Sequence, residues 1–95
     1  MDKLMRFSIY RYDDEKDTIY LADVFVDESL RGQGRGNEIL SLADNIARMM
    51  GAKTICLKAK NDSFAHEWYA RHGYTDIETD TEDTSCEWMK KQLNP

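Results

Sequence analysis

Arg31-Gly32-Gln33-Gly34-Arg35-Gly36 is the segment that decides how this chain reads. Three glycines in six residues let backbone N–H groups approach a ligand with no Cβ in the way. Upstream, Thr18 to Val26 is rich in Ile, Tyr, Val and Phe and reads as a strand. Downstream, Ile39, Leu40, Leu42, Ala43, Ile46, Ala47 and Met50 recur at helical spacing, and Gly51 stands where a helix-capping glycine belongs. The glycines thus join a strand to the start of a helix. A helix N-terminus offers unbonded N–H donors and a partial positive charge, and Arg31 and Arg35 add full charges. A phosphate or pyrophosphate suits such a turn.

Two common phosphate motifs do not fit. A P-loop needs Gly-Lys-Ser/Thr, but Asn37 and Glu38 follow Gly36. A dinucleotide fingerprint, G-x-G-x-x-G, needs a further glycine where Asn37 or Ile39 stands. A glycine loop alone also leaves a ligand-free turn open.

Working outward, Leu4 to Tyr12 alternates, with Phe7 and Ile9 on one side and Arg6, Ser8 and Tyr10 on the other. With the polar turn Asp13 to Asp17, it predicts an antiparallel hairpin with Thr18 to Val26. Beyond the first helix, Ala52 to Ala59 reads as a strand. Asn61-Asp62-Ser63 offers caps for a second helix bearing Phe64, Ala65, Trp68 and Tyr69, which Gly73 ends. Tyr74 to Glu78 and Ser85 to Leu93 complete an α/β (α+β) order of β-β-α-β-α-β-β. The sheet is predicted mixed and mostly antiparallel, with a right-handed crossover between parallel strands in the middle.

The chain has 95 residues, enough for a single domain spanning 1–95. Thirteen basic and 18 acidic residues give a net charge of −5, which argues against a nucleic-acid binder with a broad basic face. No run of about 18 apolar residues is present, so no membrane helix is expected, and Met1 to Arg6 carries no signal core. Cys56 and Cys86 fit no zinc spacing. They read as buried free thiols, so no metal is expected and a reducing cytoplasm is the default.

Arg31-x-x-Gly34-x-Gly36 is similar to the Q/R-x-x-G-x-G/A signature of the GNAT superfamily of N-acetyltransferases. Asp23 to Leu30 resembles the fourth strand of that family and its run into the loop. Asn61 to Tyr74 resembles its N…A…Y-x-x-x-G-F/Y motif. The resemblance covers roughly Leu4 to Leu93. It implies that Arg31, Gly32, Gln33, Gly34, Arg35 and Gly36 bind the pyrophosphate of acetyl-CoA. It also implies that the parallel pair splays apart and that backbone of Val24, Phe25 and Val26 pairs with the pantetheine arm. An N–H near Val24 would polarise the thioester carbonyl, and Asn61 would touch the pantetheine. Tyr69 sits where that family often has its general acid, and from the residues alone it reads as a core aromatic on a helix that also carries Phe64 and Trp68. Asp23, the one charged residue between Thr18 and Val26, is the candidate base, with an exposed strand position equally open. Glu28 is the reserve. His66 and His72 read more simply as a solvated helix face.

The implied reaction is direct transfer of an acetyl group to a primary amine, such as protein lysine or a polyamine. Nine acids at the two polar turns would steer a cationic acceptor, or else are simply solvated. Typical members carry one strand and two helices ahead of this region, and almost nothing precedes Leu4. The acceptor side is then open to a protein, or completed by a second copy in a homodimer. The alternative is an acyl-CoA-binding or protein-interaction module without turnover, of the size of some phage-encoded members.

Overall fold

A computed structural model describes residues 5–11, 15, 17–30 and 35–93. Strand β1 (Met5–Arg11) and strand β2 (Thr18–Val26) form the expected antiparallel hairpin. A short 3-10 turn, Glu28–Leu30, follows, pinned where Asp27 Oδ2 accepts from the backbone N–H and the hydroxyl of Ser29. Helix α1 (Arg35–Met49), strand β3 (Thr54–Lys60), helix α2 (Phe64–Arg71), strand β4 (Thr75–Thr79) and strand β5 (Cys86–Gln92) complete the chain. The sheet order is β1-β2-β3-β5-β4, with β2 and β3 parallel and every other pair antiparallel.

Local chemistry accounts for the element ends. Ser63 caps α2, its Oγ accepting from the His66 N–H at 3.1 Å. Gly51 (φ +83°) and Gly73 (φ +103°) take the left-handed conformation that releases the chain from each helix. Helix α1 begins at Arg35, so Arg35 and Gly36 lie in its first turn rather than in the preceding loop.

Both helices cover one face of the sheet. Ile39, Leu40, Ala43 and Ala47 of α1 and Tyr69 of α2 form one core with Ile19, Leu21, Ile55, Leu57 and Met89. The register places Tyr10 opposite Tyr20 on the other face, which carries no helix among the described residues. There Tyr10 stacks on Tyr20 at 6.0 Å, and Tyr20 meets Trp88 at 5.5 Å. Cys56 and Cys86 are buried free thiols, as the sequence predicts.

Candidate functional site

Strands β2 and β3 are in register over three pairs only, from Thr18 opposite Thr54 to Tyr20 opposite Cys56. Beyond that point β2 runs on beside β1 to Val26, and β3 runs on beside β5 to Lys60. The parallel pair therefore opens into a wedge at Tyr20 and Cys56.

The bordering strand carries an irregularity at the same place. Arg6 pairs with Phe25 but Ser8 pairs with Ala22, so Asp23 and Val24 together face Phe7. This is a β-bulge, and Asp23 takes φ +56° to make it. Asp tolerates the left-handed region better than a branched residue would. The bulge also decides which side chains are buried. Leu21 faces the core, so strict alternation would drive Asp23 inward. The extra residue resets the phase, leaving Asp23 exposed and turning Val24 and Val26 toward the core. Phe25 turns to the helix-free side, where the Arg6 guanidinium lies 4.7 Å from its ring centroid.

Tyr69 is buried on α2, stacked on Trp68 at 5.1 Å and edge-on to Tyr74 at 5.7 Å. Burial pushes its phenol up to about 12, with a smaller electrostatic push from Tyr20. Burial also raises the Tyr74 phenol.

The remaining predicted residues fall as follows. Gly36 lies in the first turn of α1, and Arg35 opens that helix. Asn61 is exposed in the turn after β3, where its N–H donates to the Ser85 carbonyl and its Nδ2 to that of Thr84. Glu28 is exposed in the 3-10 turn. Arg31, Gly32, Gln33 and Gly34 lie outside the described residues.

The histidines are not a fully solvated face. His66 is half-buried with Nε2 2.8 Å from Asp76 Oδ1. His72 is half-buried 3.8 Å from Asp44 Oδ2, and burial lowers its pKa, with Lys91 adding to the effect and Asp44 opposing it. Asp44, which the sequence reading passed over, is buried and bonded to Lys91 Nζ at 2.6 Å. Three acids counted among the turns have internal partners too. Asp76 holds His66, Asp83 takes the Ser85 hydroxyl, and Asp80 is buried against Trp88 Nε1 and Lys58. The Trp88 N–H and the Asp83 backbone hold Asp80 below the usual carboxylate range. A shallow groove of about 420 Å³ lies around Thr18, Thr54, Cys56 and Trp88, beside the parallel pair, rimmed by Glu15 and Glu78.

Residues 2–76 match the family model for the acetyltransferase (GNAT) domain. The chain belongs to the GNAT acetyltransferase family. This GNAT domain is similar in structure to nourseothricin acetyltransferase (TM-score 0.82, 22% identity, 96% of this chain and 58% of that one). It is also similar to Ard1 from Thermoplasma volcanium (TM-score 0.83, 14% identity, 97% and 64%). The PaiA N-acetyltransferase of Thermoplasma acidophilum, solved with coenzyme A, superposes with a TM-score of 0.81 at 17% identity, over 94% of this chain and 53% of that one. The chain thus spans between half and two thirds of the length of these structures. No curated protein matches it with significant similarity. The open mixed sheet with one parallel pair is the GNAT fold.

Proposed function

We propose that the chain is an acetyl-CoA-dependent N-acetyltransferase that moves an acetyl group directly to a primary amine. The observation that supports this best is the wedge: a parallel pair that stops after three residues, bordered by a bulge, with the start of α1 following β2 along the chain. A wedge of this kind offers strand backbone to an extended pantetheine, while the helix N-terminus and the Arg31–Gly36 signature take the pyrophosphate. The bulge breaks the ladder at Asp23 and Val24, which frees backbone there to polarise a thioester carbonyl.

Tyr69 supplies the acid. With its phenol at about 12 it keeps its proton throughout the working range. It is a weaker acid than a thiol of about 8.5, so it acts chiefly by donating a hydrogen bond to sulfur as negative charge builds. The amine must be neutral when it attacks, and Asp23, exposed at the bulge, is our candidate for the carboxylate that takes the ammonium proton, directly or through water. A lysine side chain or a polyamine fits this chemistry. The cytoplasm is the expected compartment, and among the described residues no helix is long and apolar enough to cross a membrane.

Calorimetry with CoA, followed by thiol release from acetyl-CoA against a panel of amines, tests the reading. Binding with turnover on at least one amine is expected. Binding with no turnover on any amine would favour a non-catalytic acyl-CoA module, and no CoA binding would remove both.

A further inference from the structure

A side chain at position 36 could enter only by displacing the Trp68 indole. A Cβ there would lie 2.7 Å from Cζ2 and 3.2 Å from Cε2 of Trp68, inside van der Waals contact. The Trp68 indole therefore rests on the bare backbone of the first turn of α1. The same ring stacks on Tyr69, with the two planes 28° apart. Trp68 is only half-buried and packs on the margin of the core. Its ring thus bridges the helix start assigned to the pyrophosphate and the phenol assigned to the sulfur.

We propose that Trp68 is a positioning residue for acyl-CoA, setting the spacing between the first turn of α1 and Tyr69. This rests on the acetyltransferase reading above. The argument is one of tolerance. The length of the pantetheine arm fixes the distance from pyrophosphate to sulfur, so both ends are served only if the two helices hold their separation. A displacement of about 1 Å in such a site costs up to about a hundredfold in rate. A tryptophan suits the task because its large ring is rigid beyond two side-chain torsions. Glycine at position 36 allows the closest possible approach of that ring to helix backbone.

The test uses the full chain. Trp68 and Trp88 are its two tryptophans, so Trp88→Phe leaves Trp68 as the sole indole reporter. In that background, saturating CoA is expected to shift Trp68 emission, and pantetheine, which can reach Tyr69 but lacks the pyrophosphate, is expected to shift it less. Trp68→Leu is expected to weaken CoA binding by about tenfold, and Trp68→Phe, whose flat ring still fits on Gly36, to recover most of the loss. Gly36→Ala, which displaces the indole, is expected to reproduce the Leu result. Circular dichroism on each variant confirms that the fold is kept. CoA affinity unchanged in folded Trp68→Leu overturns the inference, as does emission that ignores CoA or responds equally to pantetheine. Wild-type protein that binds no CoA removes the acetyltransferase reading and the inference with it, and is distinct from failure of the inference alone.

Discussion

Tyr69 keeps its proton because it is buried, and that has a kinetic signature. With the phenol at about 12, no alkaline limb from Tyr69 is expected in a rate profile run up to pH 10. Tyr69→Phe retains the ring stack with Trp68 and Tyr74 but loses the hydroxyl. We expect kcat to fall by about a hundredfold with CoA affinity unchanged, measured by steady-state kinetics beside calorimetry. Full activity in that variant would end the acid role. His72 makes a second residue-level prediction, concerning stability. Its pKa is lowered from 6.5 in the folded state, so below pH 6.5 the unfolded chain binds more protons than the folded one. Stability should then be flat with respect to this group above about pH 6.5, and fall as pH drops through 6.5 toward the lower folded value. Thermal melts from pH 8 to pH 5 should show that decline, and His72→Gln should flatten it.

At the scale of elements, the β1–β2 hairpin carries the most informative test. Asp23 has both a backbone role, at φ +56°, and a proposed chemical one, and substitutions separate them. Asn accepts the left-handed region and keeps the shape of the side chain while losing its charge. Asp23→Asn should leave the melting temperature within a degree or two and lower activity if the carboxylate is the base. Asp23→Val should cost about 1–2 kcal/mol, because a β-branched residue resists that conformation. An active Asn variant would assign Asp23 to the bulge alone. The hairpin also marks what the sequence made legible. Alternation in Phe7 and Ile9, and helical spacing from Ile39 to Ala47, expose themselves because water and core select side chains at fixed periods. The bulge stayed hidden because one extra residue is a property of pairing, not of either strand alone. The same holds for Asp44 and Lys91, 47 residues apart, and for the indole on Gly36, where each residue reads as ordinary until the fold brings them together.

For the whole molecule, the layering sets both shape and field. Helices on one face give a radius of gyration of 13.2 Å, slightly above the roughly 12.4 Å of a compact chain this long. The net charge of −5 would draw a cationic acceptor toward the chain, and the two acidic turns were the natural source of that pull. The fold reduces it. Lys58 offsets the charge of Asp80 and Asp76 faces His66, while Asp83, bonded to the Ser85 hydroxyl, keeps its charge. Of the described acids at the two turns, Glu15, Asp17, Asp76, Glu78, Glu82 and Asp83 remain exposed, and only Asp80 is buried. Exposed charges act over about 10 Å at 0.1 M salt, so six of them divided between two turns steer only weakly. We therefore expect the KM for a cationic amine to rise by no more than about threefold between 50 and 500 mM salt. Steady-state kinetics at fixed, saturating acetyl-CoA would check this. A tenfold or larger rise would show that the turns act together as an electrostatic funnel, and would place the acceptor path between them.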